Sequence, residues 1–135
     1  LPVILIAVVA SFSVERLIPF DPDWNRAHGD LRRDLAHAVV NESANLATIA
    51  LLPSISAVFA IAEWPHHWPL WTQVGAAILV LDCGITFAHY LSHRQPLLWR
   101  IHAVHHSVTR MYGFNGLMKH PLHQSMEMLC GAAPL

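Results

Sequence analysis

The sequence predicts an all-α fold, a multi-pass helical bundle in a membrane with a histidine-rich cap on its cytosolic side. Three observations carry that expectation. Long apolar runs alternate with short polar connections, as in a chain that crosses a bilayer repeatedly. The 135 residues are 54% hydrophobic and only 13% charged, against about 25% charged in ordinary soluble domains; the mean hydropathy is +0.39. Five of the eleven histidines fall directly after one apolar run, as HxxxH (His89, His93) and HxxHH (His102, His105, His106).

The elements follow in chain order. Residues 1–14 are apolar except for Ser11 and Ser13 and read as the tail of a first span. Starting without Met inside one apolar run and stopping inside another, the chain is expected to be a fragment of a longer protein. No basic leader or small-residue cleavage site suggests a signal peptide. Pro19 to Arg33 is polar and reads as a loop, leading into a short amphipathic helix that begins near Asp30. A second span is expected over 43–62, with Pro53 inside it; membrane helices accept an internal proline when neighbours satisfy the freed carbonyl. The segment from Glu63 to Pro69 reads as a tight turn whose tryptophans suit a membrane interface. His66 and His67 stand there between prolines, without a partner at helical spacing, and read as loop residues.

A third span is expected over 70–91, ending where Pro96 forbids continuation. Leu97 to Thr109 reads as a short helix, Met111 to Lys119 as a loop, and 121–135 as the start of a further span, with Pro121 in its first turn. Arg26, Arg32 and Arg33 mark the first polar loop, and Arg94, Arg100, Arg110 and Lys119 follow the third span. The positive-inside bias therefore puts the histidines on the cytoplasmic side and the tryptophan turn opposite. Cys83 and Cys130 lie in apolar runs, with no CxxC, and read as small buried residues without a bond. No basic patch with interleaved aromatics suggests nucleic-acid binding.

The histidine spacing points to metal. His89 and His93 share a helix face, as do His102 and His106, while His105 is displaced by one step. Five imidazoles exceed the four ligands of structural zinc, whereas iron accepts five or six. Asp82 and Thr86 precede His89 on the same stripe, which is expected to look into the bundle. Asp82 is the candidate acid behind a ligand imidazole. His120 is a further candidate ligand, and His123 has a weaker claim. Tyr90 and Tyr112 suit a substrate path or plain aromatic packing.

The runs His89-Tyr90-Leu91-Ser92-His93-Arg94, Leu98-Trp99-Arg100-Ile101-His102-Ala103-Val104-His105-His106-Ser107 and Lys119-His120-Pro121-Leu122 together resemble the fatty acid hydroxylase / sterol desaturase superfamily, most of all its bacterial sterol desaturase-like branch. The resemblance covers about Leu81 to Leu135. It implies a membrane-embedded, non-haem di-iron oxygenase that hydroxylates or desaturates a lipid C–H position with O2. His89, His93, His102, His105 and His106 would be its metal ligands. Such enzymes take electrons from an external donor of the cytochrome b5, ferredoxin or reductase kind, and no nucleotide fingerprint is present here. The family carries further histidine motifs downstream, so this segment would hold part of a ligand set and be inactive alone. At His123 the chain departs from the family's frequent acid after HPL. Outside that resemblance, a metal-binding or metal-transporting membrane protein is the alternative; a zinc peptidase lacks its HExxH.

Overall fold

The computed structural model describes residues 2–26, 28–59 and 64–135. Among the described residues the chain forms five α-helices and no strand. They are α1 (Pro2–Leu17), α2 (Leu31–Phe59), α3 (Leu70–Arg94), α4 (Pro96–His106) and α5 (Pro121–Ala132). Two of them, α2 and α3, are long and apolar enough to cross a membrane. At 16 residues, α1 falls short of the ~20 that a full crossing needs. The expected break between an amphipathic helix and a second span does not occur: α2 runs unbroken from Leu31 through Pro53. Nothing between Asp34 and Glu42 could stop it, since the segment holds neither glycine nor proline. Where 43–62 was expected to end lies outside the described residues.

Burial is inverted relative to a water-soluble bundle. Among the described residues, the buried hydrophobic ones are Ala88 and Ala133, whereas Asp30, Asp34, Asn41, Thr48, Ser92, His102, Asn115, His123 and Glu127 are all buried. Many large aliphatic side chains of α2 and α3, among them Leu46, Ile49, Ile78 and Leu79, face outward. Cys83 and Cys130 follow them: unbonded as expected, but exposed, not buried.

The bundle is centred on α5, which packs on both α3 and α2. Its crossing with α3 is a backbone contact. A Cβ on Gly84 would lie 2.2 Å from the Cys130 carbonyl oxygen, and one on Gly131 would lie 2.7 Å from the Leu81 carbonyl oxygen. Two glycines thus let the helices approach more closely than any side chain permits. On its other face α5 meets α2 through Thr48 Oγ1, 2.8 Å from Ser125 Oγ.

Sequence-local chemistry sets the turn that matters for the site. Pro96 pushes Gln95 into an extended conformation (φ −105°, ψ 119°) and then opens α4 as its first residue. A single non-helical residue therefore folds α4 back onto α3. The loop after α4 is tied to earlier elements: Arg110 pairs with Asp30, and the Gly113 N–H donates to Glu15 Oε2 at 2.6 Å. At the far end of α3, Trp64 Nε1 donates to Gln73 Oε1 (2.9 Å), and Gln73 Nε2 to the Trp68 carbonyl (2.8 Å). His66 and His67 stay exposed in that turn.

The two glycine environments of α3 predict opposite responses to one extra methyl group. Gly84→Ala must push α3 and α5 apart and should cost about 1–3 kcal/mol or more. Gly75→Ala meets open space and should be neutral or stabilising by about 0.5–1 kcal/mol, the usual glycine-to-alanine gain in a helix. Thermal unfolding of the two variants in the same detergent checks the contrast; equal melting temperatures would contradict the backbone contact.

Candidate metal centre

The folding of α4 onto α3 brings two i, i+4 histidine pairs face to face. His89 and His93 project from the last turns of α3, His102 and His106 from one side of α4. Their Nε2 atoms form a chain of contacts: His89 to His93 at 3.3 Å, His93 to His102 at 3.1 Å, His102 to His106 at 3.0 Å. One ring nitrogen from each of the four lies within 4.8 Å of all the others.

Hydrogen counting shows what this arrangement suits. A neutral imidazole has one N–H, so each Nε2 is either donor or acceptor. Alternating the roles along the chain leaves two hydrogens to serve three contacts. A cation at the centre removes the deficit, because all four Nε2 atoms can then present lone pairs to it. Neutral nitrogen donors of this kind suit a transition metal.

At His89 a surrounding acceptor fixes the tautomer the same way. His89 Nδ1 lies 3.2 Å from Glu127 Oε1, an acceptor, so Nδ1 carries the hydrogen and Nε2 is left as a lone pair. Glu127, 4% exposed, is held on its other oxygen by Lys119 Nζ at 2.6 Å. Lys119 is anchored in turn by its carbonyl, which accepts from His37 Nε2 (2.6 Å) and Asn41 Nδ2 (2.7 Å) of α2. His102 is fully buried, and its Nδ1 has no hydrogen-bond partner among the described residues. Burial, then the neighbouring His123 and the other histidines, lowers its pKa from 6.5 to about 4. His106 is lowered too, by desolvation and then by His93. Trp99 lies against the open side, its ring centroid 5.5 Å from His93 and 5.4 Å from His106.

The other sequence-level candidates separate. His105 turns away from the four: its Nδ1 faces the Met118 carbonyl at 3.4 Å, and its ring borders a cavity of about 330 Å³ with Asn41, Glu42 and Lys119. His120 caps α5, its Nδ1 accepting from the Leu122 N–H, which leaves only Nε2 for any ligand. Asp82 does not stand behind the imidazoles. It is exposed, as is Thr86, and has no hydrogen bond or ion pair with a histidine among the described residues. It shares the stripe, but seven residues of helix carry it about 10 Å along the axis from His89.

Glu127 occupies the position expected of Asp82. The signal for it was a buried-type acid four residues after His123, on the face that carries Gly131. His123 was also undervalued: it is fully buried, its ring 4.4 Å from that of His102. The Ser92 hydroxyl donates to the Ala88 carbonyl, so at 3.0 Å it accepts from His123 Nε2.

The stretch that carries these histidines is similar to known proteins. The fatty acid hydroxylase family model matches residues 74–135. An ornithine lipid hydroxylase, OlsE, of Rhizobium tropici is 31% identical over 140 residues, which cover 96% of this chain and 42% of that protein. The chain thus spans less than half the length of that relative. No solved structure matches it. Through residues 74–135, which carry all the gathered imidazoles and the Glu127 carboxylate, the chain belongs to the fatty acid hydroxylase family.

Proposed function

We propose that this chain forms part of a membrane-embedded, iron-dependent oxygenase that hydroxylates or desaturates a C–H position of a lipid, using O2 and electrons from an external donor. The observation that carries the reading is the convergence of one ring nitrogen from each of four histidines within 4.8 Å, beside helices many of whose apolar side chains face outward. The family membership and the lipid hydroxylase relative support it. The relative acts on ornithine lipids by name, so an amino-acid-headed lipid is the favoured substrate class here.

His89, His93, His102 and His106 would hold one ion. His105, with its Nε2 free, and His120 would contribute to a second. Bound iron would supply the activation of O2 and the abstraction of hydrogen from an unactivated C–H bond. The protein's own part is positional. Glu127 accepts the Nδ1–H of His89 and so keeps that ring's Nε2 lone pair on the metal side. Trp99 packs against the exposed rings of His93 and His106 and holds their orientation, and the outward apolar faces of α2 and α3 would let a lipid chain approach within the bilayer. The basic residues flanking the histidines favour a cytoplasmic orientation and offer a surface to an acidic electron donor.

Elemental analysis of the intact protein should find iron. Alanine at His93 or His102 should abolish metal retention, and alanine at His66 should leave it unchanged. Zinc in place of iron, with hydrolase activity, would overturn the proposal. Glu127→Gln keeps the size of the side chain but weakens its hold on His89, and should lower metal affinity about 10–100-fold, read by competition with a chelator.

The low pKa of His102 gives a signed pH dependence. Its folded value of about 4 lies below the ordinary 6.5, so between those values the unfolded chain binds a proton that the folded chain does not. Its contribution to stability is therefore full above pH 6.5 and lost as pH falls toward 4. Thermal unfolding of chelator-treated protein across that window should show the decline, and His102→Asn should flatten it.

A further inference from the structure

Lys119 lies in the loop before α5, outside the histidine cluster, yet it is held at both ends. Its ammonium donates to Glu127 Oε2 at 2.6 Å, while its carbonyl accepts from His37 Nε2 at 2.6 Å and Asn41 Nδ2 at 2.7 Å. Both lone pairs of that carbonyl are therefore used. The two donors belong to α2, 82 and 78 residues earlier in the chain, and Asn41 is 3% exposed. Among the described residues, Lys119 has no hydrogen bond with His89, His93, His102 or His106.

The distances around Glu127 decide which contact follows which. Lys119 and Glu127 join two full charges at 2.6 Å, whereas Glu127 Oε1 stands 3.2 Å from His89 Nδ1. Charge-assisted contacts shorten as they strengthen, so the ammonium sets the plane of the carboxylate and the imidazole takes the remaining oxygen. That choice matters, because a glutamate's last torsion is broad and its two oxygens exchange easily. Oε1 also has a second ring nearby, with His123 Nδ1 at 3.7 Å. A carboxylate without its ammonium could turn away from His89.

We propose that Lys119 is a positioning residue for the metal centre. Anchored by α2, it turns Glu127 so that His89 keeps its Nδ1–H on Oε1 and its Nε2 lone pair toward the other three rings. The inference rests on the reading of the four histidines as a metal site, and not on the oxygenase chemistry.

The sign of the effect separates this role from two simpler ones. Lys119 places a positive charge near a site for a cation, so on charge grounds alone its removal raises metal affinity. A lysine that only staples the loop to α5 changes the melting temperature and leaves the affinity of the folded protein as it was. Removal of a positioning lysine lowers that affinity.

The test loads the intact, detergent-solubilised protein with Co2+. Affinity is read by competition with a chelator, and the visible absorption of the ion reports its ligands. Lys119→Met should weaken binding about ten-fold or more and change the absorption spectrum, and Lys119→Arg should restore most of both. Because the lysine acts through Glu127, Lys119→Met added to Glu127→Gln should cost nothing beyond Glu127→Gln alone. Asn41→Ala should weaken binding in the same direction without altering any charge. Unchanged or tighter binding by Lys119→Met would overturn the proposal, as would losses that add in the double variant. Full affinity of Asn41→Ala would overturn the part assigned to α2. An unmodified protein that takes up no Co2+ would sink the metal reading itself, and this role with it.

Discussion

The Glu127 carboxylate is the interaction on which the rest of the structure depends. One oxygen meets His89 of α3, the other meets Lys119, and the Lys119 backbone is held by His37 and Asn41 of α2. Three helices and one loop are therefore tied through a single buried acid. Removing one partner of a buried charge pair typically costs about 3–5 kcal/mol, because the other charge is left uncompensated. Here the same group also selects the tautomer of His89, so folding and ligand chemistry share one carboxylate.

The inverted distribution of polar and apolar groups follows from the same constraint. In hydrocarbon, apolar side chains gain nothing by turning inward, so helix association falls to close packing and hydrogen bonds. The structure uses both: the Gly84 and Gly131 backbones meet directly, and Thr48 bonds Ser125 across α2 and α5. The centre of the bundle is left to histidines, a serine and acids. Several of them satisfy one another, as His123 and Ser92 or Glu127 and His89 do.

Much of this was legible in the sequence. HxxxH and HxxHH announced two helical faces, Pro96 announced the turn between them and Pro121 the start of α5, and each appears within a few residues of its expected place. What could not be read was which faces meet. Asp82 has the right angular position and the wrong height, and periodicity carries no information about height. Glu127 and His123 become neighbours of His89 and His102 only through the α3–α5 crossing, a tertiary fact carried by two glycines that look like ordinary helix interruptions. The continuity of α2 was obscured by its charged first turns, because polarity marks a change of surroundings as readily as the end of a helix.

The turn at Gln95 has a consequence for the order in which the centre can form. All four clustered imidazoles belong to one stretch of chain, folded on itself about a single extended residue, so gathering them requires closing only a short loop. The carboxylate that meets His89 arrives from a later helix and must find its place by docking. The cluster of imidazoles is thus a local product of the backbone, and its contact with Glu127 is a long-range one.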